Sequence, residues 1–194
     1  LAIGVYAVRQ SMPMENARVG ILGFGPIGMS VMIPAMAGGA ENVYVTDKME
    51  GRMQIARENG ARYAGNPDER DVVKEILELE PAGMDVIFEC CGQQEALENA
   101  FDLIKPGGKI MIIGIPEFDR WSMPVDKGRH KEVTITNVRR QNGAVEETIE
   151  GLASGKFNVD TMPTHRFSFE DSKKAFDLVD RYADGVMKAM IDFD

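Results

Sequence analysis

Short apolar runs alternate with amphipathic stretches along the chain, and turn residues mark nearly every change between them. A strand buried on both faces reads as unbroken apolar residues, while the helix that crosses over it shows one apolar stripe. The alternation therefore predicts βαβ units around a parallel sheet. Strands are predicted over 18–22, 42–46, 62–64, 84–89, 109–113 and 132–138, with helices over 26–37, 50–59, 68–79, 93–104 and 145–153. Pro26 falls in the first turn of its helix, where a missing N–H costs nothing, and Gly38-Gly39 ends it. Gly60 closes the next helix, and Pro106-Gly107-Gly108 stops the one over 93–104. Within 68–79, Val72, Ile76 and Leu79 share a face. After Gly155 the pattern changes to an extended segment over 164–169, a helix over 170–181 and a last strand over 186–191. These have no evident place in a sheet that six strands already complete. The fold class is α/β, a doubly wound parallel six-stranded sheet followed by a segment of another layer.

Composition narrows the partners. With 31 acidic against 22 basic side chains, the net charge is −9, and the basic residues are scattered among acids. Nucleic acid is thereby excluded as a partner, because phosphate backbones call for clustered Lys and Arg. No apolar run approaches the roughly 20 residues of a membrane-spanning helix. Cys90 and Cys91 are adjacent and cannot make a disulfide framework, which fits a reducing cytoplasm. The 13 methionines are spread along the chain and read as core filler rather than as a metal site. No charged region precedes the apolar residues 1–8, so a signal peptide is not expected. A first residue Leu1 inside a helical pattern points to a piece of a longer protein.

The chemistry-bearing motif is Gly23-Phe24-Gly25-Pro26-Ile27-Gly28, a G-x-G-x-x-G that directly follows one predicted strand and opens a helix. Its first glycine permits a tight turn, its second lets a pyrophosphate approach the backbone, and its third lets helix and strand pack closely. The free N–H groups at the helix start then face the anion. Asp47 ends the second strand, 19 residues after Gly28, where a carboxylate can accept hydrogen bonds from adenosine ribose hydroxyls. The same charge repels a 2′-phosphate and favours NAD over NADP, although Lys48 and Arg52 lie close by and oppose that preference. An S-adenosylmethionine methyltransferase shares the glycine turn and the later acid, but usually carries an acid just before the glycines, where Leu22 stands.

The motif, the run Val45-Thr46-Asp47 with Arg52 and Ala56-Arg57-Glu58-Asn59-Gly60-Ala61, and Phe88-Glu89-Cys90-Cys91-Gly92 together resemble the zinc-type medium-chain dehydrogenases. Ile104-Lys105-Pro106-Gly107-Gly108 and Arg139-Arg140-Gln141-Asn142 extend the likeness over essentially the whole chain. The polyol branch, which includes sorbitol and threonine dehydrogenases, is the most similar in pattern. The resemblance implies a Rossmann domain with strand order 3-2-1-4-5-6 over residues 17–155, a linking helix within 1–16, and a segment over 156–194 that returns to a catalytic domain placed before Leu1. It implies that Gly23, Gly25, Pro26, Ile27 and Gly28 line a pyrophosphate, and that Asp47 and Arg52 hold the adenosine ribose with Lys48 nearby. It also implies that Cys91 lines the adenosine side, that the backbone of Ile113, Gly114 and Ile115 holds the nicotinamide carboxamide, and that Arg140 sits near the substrate mouth.

Family chemistry moves a hydride between a secondary alcohol and NAD beside a zinc ion that needs about three Cys, His or carboxylate ligands. His130 and His165 lie far from the cysteines without ligand spacing, so no metal ligand is assigned within the chain and zinc is expected only in the missing domain. The chain is expected to bind the cofactor without turnover. In the whole enzyme the partner is a small alcohol or polyol, and a homo-oligomer is expected to form through the sixth strand. The two tail strands are expected to lack partners and to stay mobile or self-associate. Two alternatives stand beside this reading. Tyr44-Val45-Thr46-Asp47-Lys48 has the letters of a short-chain dehydrogenase Tyr-x-x-x-Lys, but it runs along a strand, whose side chains alternate faces. A non-catalytic NAD/NADH-sensing module would also look like a lone cofactor domain.

Overall fold

A computed structural model describes residues 1–193; Asp194, the last residue of the expected returning segment, lies outside the described residues. The elements are α1 (Ala2–Ser11), β1 (Arg18–Leu22), α2 (Pro26–Ala37), β2 (Asn42–Thr46), α3 (Glu50–Glu58), β3 (Tyr63–Gly65), α4 (Val72–Leu79), β4 (Met84–Glu89), α5 (Gln94–Leu103), β5 (Ile104–Ile112), α6 (Val125–His130), β6 (Thr134–Asn137), α7 (Val145–Ala153), β7 (His165–Ser168), a short 3₁₀ turn, α8 (Ser172–Asp180) and β8 (Ala189–Asp192).

Six parallel strands order as β3-β2-β1-β4-β5-β6, the order expected. Alternation along each strand sends side chains to two cores. Val19, Ile21, Val43, Val45, Val86, Phe88 and Met111 face α1, α2 and α3 through Ala7, Met29, Met32, Ala35, Met53 and Ala56. Leu22, Tyr44, Ile87, Ile110 and Ile112 face α4 and α5 through Val72, Ile76, Leu97, Ala100 and Phe101. The four central strands β2, β1, β4 and β5 are thus covered on both sides, which is why their sequences carry so little polar alternation.

At the N-terminal ends of the strands, Asp85 ties three elements together. It accepts from the Arg18 backbone N–H at 2.7 Å and from Arg18 Nε at 2.9 Å, and it pairs with Lys105. Burial alone would raise the Asp85 carboxyl, but the hydrogen bonds from Arg18 and Lys105 outweigh it and hold the group down to about 2. Another close approach joins α1 to α2. Pro34 has no N–H to offer the carbonyl of Ser30, and Gly4 packs where a Cβ would come within 1.7 Å of that oxygen.

Several boundaries differ from the sequence expectation for identifiable reasons. The helix expected over 68–79 begins at Val72, because Asp71 caps it by accepting from the Lys74 N–H at 3.0 Å. Leu79, expected on its buried face, is 46% exposed at the last turn. Ile104, expected at a helix end, begins β5, and Pro106-Gly107-Gly108 forms an irregularity within that strand, where the register with β4 shifts between Met84 and Val86. The sixth strand is shorter than 132–138, and α6 was not expected at all.

The tail departs most. β7 and β8 pair with each other in parallel, His165 opposite Ala189 through Ser168 opposite Asp192, with α8 as their crossover. The expected partnerless strands are therefore a small βαβ unit of their own. Val186 and Met187, just before β8, are buried at 1% and 2% exposure, and Met187 joins the core of the large sheet.

Candidate functional site

In a doubly wound sheet a crevice opens where neighbouring crossovers leave for opposite faces, here between β1 and β4. Gly23, Asp47 and Cys91 follow β1, β2 and β4 at that C-terminal edge, and all three line a cavity of about 730 Å³.

The glycine turn has the construction its sequence demands. Gly23 has φ +93°, a conformation L side chains rarely adopt, and a Cβ there would meet that of Cys91 at 2.7 Å. A Cβ on Gly28 would lie 2.1 Å from the Gly23 carbonyl oxygen, so the third glycine is what allows α2 to close on the turn. Gly25 is the N-cap of α2, and no side chain caps the helix. The first N–H groups of a helix have no intrahelical acceptor, so this end offers free donors and the positive end of a dipole. A Cβ at Gly25 would find only the Arg52 guanidinium, at 3.4 Å. That cradle fits a dinucleotide pyrophosphate.

Asp47 does two things. Its Oδ2 accepts from the Phe24 N–H at 2.7 Å and its Oδ1 from the Met49 N–H at 2.9 Å, so the carboxylate fixes the glycine turn as well as bordering the cavity. Arg52 Nη1 lies 3.9 Å from Oδ2, and Lys48 pairs with Asp68 at 2.9 Å across the mouth.

Glu89, the last residue of β4, is fully buried. Its Oε1 accepts from the Gly92 N–H at 2.6 Å, the Cys91 N–H at 2.9 Å and the Cys91 thiol at 3.2 Å, while Oε2 has no partner. Its backbone carbonyl accepts from Ile113 and Gly114. One residue therefore holds the turn after β4 and the turn after β5 against each other. Burial, with Glu89 as the nearby charge, pushes the Cys91 thiol up to about 12.

Of the sequence-predicted residues, Gly23, Asp47, Lys48, Arg52 and Cys91 share the cavity wall. Gly25, Pro26, Ile27 and Gly28 form the adjoining turn and first helical residues. Ile113, Gly114 and Ile115 stand beside the 90–92 turn, where a Cβ on Gly114 would lie 2.2 Å from the Gly92 nitrogen. Ile115 is 90% exposed there. Arg140 is exposed, has φ +63°, and is not part of the cavity wall. Sequence reasoning missed Glu89 as a brace and Tyr182 as a wall residue. An acid closing a strand whose centre, Val86-Ile87-Phe88, is apolar was the available signal for Glu89; a residue 130 positions from Arg52 gave none.

Among the described residues no group of three or more His, Cys, Asp or Glu side chains is arranged to hold a metal ion, so these residues do not fit a zinc site. Nor is any helix among them long and apolar enough to cross a membrane.

Comparison with known proteins agrees with this fold. The model of the zinc-binding dehydrogenase family matches residues 26–154. Sorbitol dehydrogenase of Bacillus subtilis is 28% identical over 191 residues, which is 98% of this chain and 54% of that protein. L-idonate 5-dehydrogenase of Vitis vinifera is 31% identical over 184 residues, 91% of this chain and 50% of that protein. A crystal structure from Sinorhizobium meliloti 1021, described as a zinc-binding dehydrogenase bound to NADP, superposes with a TM-score of 0.89 at 26% identity, covering 98% of this chain and 56% of that one. The chain spans about half the length of the relatives it matches. A G-x-G-x-x-G turn at the switch point of a 3-2-1-4-5-6 sheet, together with a family match across most of that sheet, places this chain in the zinc-binding dehydrogenase family.

Proposed function

We propose that the chain is the NAD(H)-binding part of a zinc-dependent alcohol or polyol dehydrogenase, which transfers a hydride between a secondary alcohol and NAD. The observation that carries the reading is Asp47, a carboxylate that both braces the glycine turn through the Phe24 N–H and borders the adjoining cavity. Gly23, Gly25 and the first residues of α2 receive the pyrophosphate, and Asp47 with Arg52 receives the adenosine ribose. The turns at 90–92 and 113–115 flank the nicotinamide end, with Arg140 at its outer rim. When bound, the nicotinamide supplies the hydride acceptor or donor. This chain's residues bind and orient it, and Glu89 keeps the two flanking turns in register. A polyol substrate is supported by the names of the sorbitol and idonate dehydrogenases that the chain resembles. Residues 156–194 belong with a catalytic domain in the longer protein, where zinc is held, and the exposed edge at β6 is the seam for a second copy.

The test is a fluorescence titration of the purified chain with NADH. Native chain should saturate, and Asp47→Ala should weaken binding by at least tenfold, the loss of two charge-assisted hydrogen bonds to ribose being worth about 1.5–3 kcal/mol each. Alcohol oxidation assays on the chain, with zinc added, should stay flat. Absence of saturation with native chain refutes cofactor binding. If the longer protein binds NADH yet oxidises no alcohol or polyol, the NAD/NADH-sensing alternative replaces the enzyme.

A further inference from the structure

The guanidinium of Arg52 is the strongest anion-binding group on the adenosine side of the cavity, and the structure shows it already engaged by the tail. Its Nε and Nη2 both donate to the carbonyl oxygen of Val186 at 3.3 Å, and its Cζ lies 5.5 Å from the centre of the Tyr182 ring. Its side chain is only 13% exposed. A planar guanidinium that presents two donors to a phosphate is what recognition of a 2′-phosphorylated ribose uses. Here two of its donors are taken by the C-terminal segment, and Nη1 is left 3.9 Å from Asp47 Oδ2.

That segment is built to stay where it is. Val186 and Met187 are buried, and the Met187 N–H donates to Thr164 Oγ1 at 3.0 Å. Gly185 approaches α3 so closely that a Cβ on Gly51 would lie 3.0 Å from its Cα. Tyr182, Asp184 and Gly185 all have φ between 49° and 64°, a backbone path non-glycine residues adopt only when their surroundings impose it. Lys48, the other cation at the mouth, is more than half exposed in its pair with Asp68 and free to exchange partners.

We propose that the turn carrying Tyr182 and Val186 is a specificity determinant of the cofactor site: by holding Arg52 it withholds the guanidinium from a 2′-phosphate and enforces the preference for the unphosphorylated dinucleotide. The proposal rests on the cofactor reading above and gives the tail a role that reaches across 130 residues of sequence.

The experiment is a pair of fluorescence titrations, NADH and NADPH, on the native chain and four variants. Tyr182→Ala removes the ring from one face of the guanidinium. Gly51→Ala alters no cavity residue but displaces Gly185 and lengthens the two bonds to Val186. Both should raise the affinity for NADPH relative to NADH by about tenfold, the scale of one charge-assisted phosphate contact. Tyr182→Phe keeps the ring and should keep the native ratio of the two affinities. In the double variant Arg52→Ala with Tyr182→Ala the gain for NADPH should vanish. If Tyr182→Ala and Gly51→Ala leave the ratio of the two affinities unchanged, whether by weakening both ligands alike or by altering neither, the proposal is overturned. Should the native chain bind neither dinucleotide, the cofactor reading itself fails and this inference falls with it, a result distinct from an unchanged ratio.

Discussion

Removal of the Glu89 carboxylate is the perturbation whose cost follows most directly from the geometry. Oε1 is the acceptor for the N–H groups of Cys91 and Gly92, at 2.9 and 2.6 Å, in a position with no access to water. Glu89→Ala strands two backbone donors, each costing about 1–3 kcal/mol, and leaves a small void. Against this, the native Oε2 is itself unpartnered, and its removal returns part of that cost. The balance is a destabilisation of about 2–4 kcal/mol. Glu89→Gln keeps a carbonyl acceptor for both donors and loses only the charge assistance, so about 1–2 kcal/mol is expected. Urea denaturation followed by far-ultraviolet circular dichroism measures both, and the slope with denaturant should stay constant, since the surface exposed on unfolding does not change. The expected order of stability is native, then Gln, then Ala. An alanine variant as stable as the native chain would refute the reasoning, because it would mean the 90–92 turn needs no internal acceptor.

Further outcomes follow from the same contacts. Gly28→Ala places a Cβ 2.1 Å from a backbone oxygen that cannot yield without opening the turn, so NADH affinity should fall at least tenfold, as read by calorimetry. Asp85 is held below its ordinary value in the folded chain, so its stabilisation is complete above the unfolded value near 4 and is lost as pH falls toward 2. Unfolding free energies from urea denaturation at pH 5 and pH 2.5 should therefore differ by about 1.5 kcal/mol less in Asp85→Asn than in the native chain, and the variant should be the less stable of the two at pH 7 because Arg18 loses one of its two carboxylate partners and keeps only Glu80. With its thiol pushed up to about 12, Cys91 should react with iodoacetamide at pH 8 far more slowly than in urea-unfolded chain, despite its exposure; mass spectrometry of timed samples reads this, and equal rates would contradict it.

Much of the architecture was readable because strands buried on both faces leave uninterrupted apolar runs. Those at 18–22, 42–46 and 84–89 appear with the predicted bounds, as do α2 and α7, whose ends carry Pro, Gly and Ser signals. What escaped had a physical reason in each case. Helix α6 is six residues long with no buried side chain, so it has no apolar period to detect. The start of β5 at Ile104 was hidden by Pro106-Gly107-Gly108, which reads as a stop but is an irregularity in the ladder. The tail strands could be recognised as strands, but not as each other's partners, since pairing depends on a crossover helix whose packing the local pattern does not encode. At the site, spacing pointed to the glycines and Asp47, and the family resemblance to Arg52. That Asp47 also fixes the Phe24 amide, and that Arg52 is turned toward Val186, depends on contacts between segments distant in sequence.

The central claim is that a dinucleotide lies across the C-terminal ends of β1, β2 and β4. Amide hydrogen exchange of the chain with and without saturating NADH tests it most directly. The account predicts added protection at residues 23–29, around 47–49 and at 90–92, with none at 134–137 or 145–153. Protection confined to β6 or α7, or no change at the glycine turn while NADH is demonstrably bound, would contradict it.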